Sequence, residues 1–319
     1  MSREAPRVLC VGLSCLDLVW RVEHFPPRES REEASVHERH GGGPAATAAV
    51  AASRYGVEAH LWAIHGEDEA GAALLRELED AGVHTEGIVT PAGARTFTSA
   101  VIVDASGERW IFPYRGEGLD DDPARWLLER VAGFDVVLTD LRHPHLAAAV
   151  LEKARAAGVP TLVDLGNLRH VELARSADVL IAAEEAAQAA LEAGTGEVPE
   201  DPTAWAEAAI AALRGFDEQL VAITLGEEGV VYDAGDGLRH LPSLPVDVVD
   251  TTGAGDVFHG VWAAALASGE RPDACAQQAT VGAALACRGP GRTTLASGDE
   301  IRRMLQQRSA REMDDRAWA

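Results

Sequence analysis

The stretch Val246-Asp-Val-Val-Asp250-Thr-Thr-Gly253-Ala-Gly255-Asp256-Val-Phe-His-Gly260 is compatible with very few local structures. A short apolar and acidic run reads as a strand end, glycines follow at once, and an Ala-rich segment from Val257 to Ser268 has a helical pattern. The order is strand, glycine turn, helix N-terminus. The first turn of a helix leaves backbone N–H groups unpaired and carries the positive end of the dipole, so it favours anions. Gly253 and Gly255 let the backbone approach a ligand with no Cβ in the way. Asp256 sits where the charge of a bound phosphate would be cradled, an odd place for a carboxylate. It makes sense there if it accepts a proton from a hydroxyl attacking that phosphate. Asp also caps helices well, which is the plainer role for this residue taken alone.

Before that stretch the chain alternates strands with helices. Arg7–Val11 is an apolar run closed by Gly12, the pattern of a buried parallel strand. Asp17 is then expected just past its C-terminal edge, where ligands gather in open α/β sheets. Gly41-Gly42-Gly43-Pro44 opens an Ala-rich helix ended by Gly56, with side chains small enough for very close packing. His60–His65 and Asp135–Thr139 read as further strands, as do Val159–Asp164, Val179–Ala182 and Gln219–Thr224, each spaced by helical segments. This order implies a three-layer α/β/α domain around a doubly wound, mostly parallel sheet. Two patches break the alternation. Residues 19–40 are polar and interrupted by Pro26 and Pro27, and residues 96–114 hold two β-rich runs around Asp104-Ala-Ser-Gly107, a hairpin signal. Together they predict a small β-sheet standing off a single domain that spans residues 1–319.

Composition removes several functions. A net charge of −23 argues against nucleic acid or an anionic membrane surface as the main partner, so an anionic substrate must be met by a local cationic pocket. At 319 residues and 47% hydrophobic content the chain can bury a sizeable core. Its four cysteines show no zinc-like spacing and are expected to be buried thiols of a reducing cytosol. No apolar run approaches a membrane span and no signal peptide is evident, so a cytoplasmic protein is expected.

The string Asp250-Thr-Thr-Gly253-Ala-Gly255-Asp256 resembles the signature of the ribokinase-like (PfkB) sugar kinases. The resemblance implies that Asp256 deprotonates a sugar hydroxyl while the amides of Gly253, Ala254 and Gly255 form the anion hole for the moving γ-phosphoryl group. Two more motifs follow in family order. Thr224-Leu-Gly226-Glu-Glu-Gly229 is similar to the element whose Thr and Gly face ATP phosphates. Gly42-Gly43 with Thr47 is similar to the first signature, with Thr47 standing where an Asn usually contacts the sugar, which points away from ribokinase proper. The family also implies that Asp17 holds sugar hydroxyls, and that the small sheet is a lid over the sugar and a homodimer contact. ATP is implied as phosphoryl donor and Mg²⁺ as charge shield. The usual Asn-x-x-Glu linked to that ion is missing, leaving Glu184 or Glu185 to help. No Walker-type Gly-Lys-Ser/Thr is present. The first strand runs into Gly12-Leu-Ser-Cys, with no dinucleotide fingerprint, which disfavours a dehydrogenase.

In motif detail the chain is most similar to the branch of the family that phosphorylates 6-deoxy-6-sulfofructose, a ketose 1-kinase. A sulfonate needs cations, and the candidates are Arg28 and Arg115 on the lid pieces and Arg142 after the Asp135–Thr139 strand. Fructose, fructoselysine, 2-keto-3-deoxygluconate and nucleosides remain alternative acceptors. So does a non-catalytic sugar or nucleotide sensor, against which an intact Asp256 argues.

Overall fold

The computed structural model describes residues 5–25, 31–105, 108–194, 198–292 and 294–316, with side chains as far as residue 307. In chain order the strands and helices are β1 (Arg7–Val11), β2 (Cys15–Arg21), β3 (Val36–Gly42), α1 (Pro44–Tyr55), β4 (Glu58–Ile64), α2 (Glu69–Asp80), β5 (His84–Val89), β6 (Thr98–Val103) and β7 (Arg109–Tyr114). Then come β8 (Val136–Thr139), α3 (Pro144–Ala157), β9 (Thr161–Leu165), α4 (Val171–Ala174), β10 (Val179–Ala183), α5 (Glu184–Gly194) and α6 (Pro202–Leu213). The chain closes with β11 (Leu220–Thr224), β12 (Val230–Asp233), β13 (Leu238–Leu241), α7 (Ala254–Ala267), α8 (Pro272–Ala286) and α9 (Gly298–Arg316).

Among the described residues, nine strands form one sheet in the order β13-β12-β11-β10-β9-β8-β1-β4-β5. From β11 to β5 every neighbouring pair is parallel, and β12 and β13 add an antiparallel edge. The alternation in β1 shows why such strands are apolar throughout: Val8 and Cys10 join the core under α1, α7 and α8, while Leu9 and Val11 join the one under α3. All four cysteines are buried and unpaired. The expected three-layer α/β/α architecture is present.

A second, four-stranded sheet has the order β3-β2-β6-β7 and leans on the main domain. It overlaps the two irregular patches of the sequence but begins earlier, at Cys15. Asp17 therefore lies inside β2, paired with His40 and Ser99, rather than in a loop past β1. Gly12, with φ of 150°, and the short turn after it let the chain leave one sheet and enter the other within four residues. The expected strand over Val246–Asp250 is also absent. Pro242 and Pro245 follow β13 and cannot donate to a ladder, so the segment runs extended outside the sheet, with the Val249 and Asp250 amides on Cys287 O.

Candidate active site

Helix α1 and helix α7 build the floor of the site together. Six alanines of α1 are buried, and Gly260 of α7 lies so close that a Cβ there would come within 2.3 Å of Ala48 O. This contact sets the start of α7 beside Thr47. Gly253 caps α7 in the left-handed region at φ 77°, a conformation most side chains resist. Its α-carbon faces the Thr47 methyl, and Asp256 follows in the first helical turn. The Ala254 amide already donates to Thr251 O at 3.2 Å, whereas the remaining first-turn amides have no helical acceptor.

A cleft of about 770 Å³ opens above this floor, lined by Asp17, Gly42, Gly43, Thr47, Gly253, Asp256 and Arg292. The Asp17 carboxylate packs directly against Gly42, where a Cβ would stand 2.2 Å from Oδ2. Burial raises the pKa of Asp17, opposed by its bonds to Ser99 and Cys15 and by the Arg292 and His40 charges. The small sheet closes one side of the cleft: Arg109 Nη1 donates to Thr252 Oγ1 at 2.5 Å, and Arg21 stands 3.8 Å from Asp250.

The sequence reasoning missed Arg292. Its side chain is only 10% exposed, and it bridges three elements. It donates through Nε and Nη2 to Thr47 Oγ1, both at 3.2 Å, through Nη2 to Gly42 O at 2.9 Å, and through Nη1 to Glu77 Oε1 at 3.2 Å. Thr47 is thus engaged by a guanidinium. A lone Arg in a Gly-rich loop carries no signal of burial; only its nearness to the Gly-Pro-Gly turn marked the region.

Asp256 does not stand alone. Burial pushes its pKa up to about 7, the neighbouring Asp164 charge adds to this, and His259 and Arg292 pull the other way. Asp164, at the end of β9, is itself pushed up to about 7 by burial, with Asp140 adding to the shift. His259, one turn along α7, lies 3.6 Å from Asp164, and burial lowers its pKa. Neither of its ring nitrogens has a partner of good hydrogen-bond geometry among the described residues, though the backbone of Gly255 and Ile181 stands near. Asp140 accepts from the amides of Leu13, Ala45 and Arg142 and anchors the turns around it.

Arg115 and Arg142 meet in a second, smaller cleft of about 270 Å³, whose wall also holds Asp140, Asp164, Arg169 and His170. They do not line the cleft of Asp17. Leu141, between Asp140 and Arg142, has φ of 57°, a strained value for a branched residue, which turns Asp140 inward while Arg142 stays on the cleft. Arg142 donates only its backbone amide to Asp140. Among the described residues no carboxylate pairs with the guanidinium of Arg142 or Arg115 within 4 Å. Arg28 lies outside the described residues.

The nucleotide candidates stand farther along the same sheet edge. Thr224 ends β11, with its hydroxyl 3.4 Å from Ala182 O. Gly226 faces open space, while Gly229 packs so tightly on Leu241 O, 2.1 Å from a notional Cβ, that its first duty is to start β12. Glu184 and Glu185 are exposed in the first turn of α5, and Ala183 before them pairs with Thr224. Solvent-open carboxylates in that position would suit an ion that keeps most of its waters.

This geometry has counterparts. The model of the pfkB family carbohydrate kinases matches residues 5–297. An ATP-dependent ribose-1-phosphate kinase from Halopiger xanaduensis is 31% identical over 256 residues, covering 79% of this chain and 82% of its own. The ribokinase of Bacillus subtilis is 29% identical over 286 residues, with 88% and 92% covered. Among solved structures, a protein from Agrobacterium tumefaciens provisionally assigned as a ribokinase superposes with a TM-score of 0.85 at 34% identity, covering 95% of this chain and 98% of that one. The Arabidopsis thaliana ribokinase complexed with ribose and ATP superposes with a TM-score of 0.80 at 25% identity, over 95% and 99%.

Proposed function

Because the chain belongs to the pfkB family of carbohydrate kinases, we propose that it transfers the γ-phosphoryl group of ATP to a ketose bearing an anionic tail, with 6-deoxy-6-sulfofructose as the best-fitting acceptor. The observation that carries this reading is the meeting of Arg115 and Arg142, 27 positions apart, in one small cleft with no carboxylate partner for either guanidinium among the described residues. Asp140 and Asp164 share that wall and Arg142 acts on the Asp164 charge, but no carboxylate pairs with either guanidinium within 4 Å among the described residues, which leaves both free to meet an anionic guest. Asp164 stands in the wall of that cleft and raises the pKa of Asp256, so the two clefts are electrostatic neighbours. The ribose-1-phosphate kinase among the relatives acts, by its name, on a sugar that carries an anionic group.

In this reading Asp17 and the Arg292–Thr47 pair hold sugar hydroxyls. Asp256 takes the proton of the attacking hydroxyl as its oxygen bonds to the γ-phosphorus and the bond to ADP breaks. The Gly253 and Gly255 amides stabilise the charge on the transferred group, while the Ala254 amide is held by Thr251 O. Thr224, Gly226 and Gly229 face the ATP phosphates, and Glu184 or Glu185 would hold Mg²⁺ through water. The ion, when bound, neutralises phosphate charge. The small sheet acts as the lid, and the exposed Ile111, Phe112 and Tyr114 on β7 supply an apolar surface for a homodimer. Light scattering should then give twice the chain mass in solution, and Phe112→Asp should halve it; a monomeric wild type removes the dimer.

The acceptor is tested by comparing kcat/KM for sulfofructose and fructose in wild type and Arg142→Ala. Loss of a charged hydrogen bond should cost the anionic sugar about 1.5–3 kcal/mol more than the neutral one. Equal losses, or a wild type that prefers fructose, would overturn the anionic acceptor and leave the kinase standing.

A further inference from the structure

At the opposite end of the sheet from the active site, the N-terminal halves of β4 and β5 bring Glu58, His60 and His84 together. Their ligand atoms all lie within 4.8 Å of one another, and among the described residues this is the one His, Cys and carboxylate trio that converges so. Strand pairing makes the contact: His60 and His84 are register partners on neighbouring parallel strands. Their rings stack at 4.3 Å, 13° from parallel, with the edge of Phe134 packed on His60 at 5.0 Å. The β5 strand carries an irregularity just beyond, where Trp62 pairs with Gly87 instead of Glu86, and this keeps the two histidines abreast on the final strand of the sheet.

His60 Nε2 is buried and has no hydrogen-bond partner among the described residues. An orphaned polar atom of this kind is costly unless something accepts its lone pair or proton. In its neutral form the ring has a lone pair free for a ligand. His84 is exposed, and its ligand atom lies within 4.8 Å of those of His60 and Glu58. The nearby charges are mixed. Arg7 lies 3.5 Å from Glu58 but is also held by Gly133 O and the Phe134 face, and Glu86 lies 3.7 Å from His84. A cleft of about 770 Å³ leads to His60 from solvent past Glu86 and Arg130.

We propose that Glu58, His60 and His84 bind one borderline divalent cation of the Zn²⁺ class, which ties the edge strand β5 to β4. Two imidazoles and one carboxylate suit Zn²⁺ or Ni²⁺ and not Mg²⁺ or Ca²⁺, which prefer all-oxygen sites. The site is therefore separate from any ion carried by ATP. Such a bridge pins the edge strand β5, which pairs only with β4, to the rest of the sheet.

The test is calorimetric titration of the nucleotide-free protein with ZnCl₂ in the presence of excess Mg²⁺. Wild type should bind one Zn²⁺ per chain, and its unfolding temperature should rise with added Zn²⁺. His84→Ala and His60→Gln should each weaken binding at least about tenfold and abolish that rise, while metal-free kinase turnover stays that of the wild type. Since His84 is exposed, His84→Ala decides the matter even if His60→Gln fails to fold. No saturable binding at micromolar Zn²⁺, or equal affinity in wild type and His84→Ala, would overturn the site.

Discussion

At the residue scale, the proposed chemistry rests on how burial treats two acidic groups. As the proposed base Asp256 must be ionised, and burial raises its pKa to about 7 with Asp164 adding to the shift. The sign follows: kcat/KM should fall below about pH 7 and level off above it. Asp164→Asn removes a neighbouring negative charge, so it should move that limb to lower pH; a limb that stays in place would mean the two carboxylates do not communicate. How far such residues were legible differs from one to the next. Asp256 could be found because it sits inside a long string whose order forces strand, turn and helix. Asp164 and His259 could not, since each lies in an apolar run and gains a role only when β9 and α7 meet. Arg292 was hidden for the same reason. Its partners Gly42, Thr47 and Glu77 are more than 200 positions away.

At the element scale, the site depends on α1 and α7 packing closely enough to place Thr47 beside Gly253. Gly260 is the contact point, so Gly260→Ala should force the helices apart. An overpacked core contact costs about 1–3 kcal/mol, read as a lower unfolding temperature together with a raised KM for the sugar. A variant as stable and active as wild type would show that this contact does not set the site. The parallel strands were legible because residues covered on both faces must be apolar throughout. The strand expected over Val246–Asp250 failed because apolar character alone does not pair an edge, and Pro242 and Pro245 had already broken the ladder. Asp17 was misplaced because a strand crossing into a second sheet looks, in sequence, like a turn beyond the first.

At the scale of the whole molecule, this is an ATP-dependent sugar kinase of the pfkB family, and its negative charge is broken by cations gathered at two neighbouring clefts. Arg21, Arg109 and Arg292 line the first, Arg115, Arg142 and Arg169 the second. In both clefts these guanidinium groups stand among carboxylates, Asp17, Asp250 and Asp256 in the first and Asp140 and Asp164 in the second, so local charges, not the overall field, set what each cleft accepts. All of this converges on the first turn of α7. The most direct measurement is ADP release by Asp256→Asn at saturating ATP and sugar. Turnover should drop roughly 10²–10⁴-fold while the affinities for ATP and sugar stay close to those of wild type. A folded Asp256→Asn variant with wild-type kcat would contradict the assignment and leave Asp256 as a first-turn carboxylate that only complements the helix dipole.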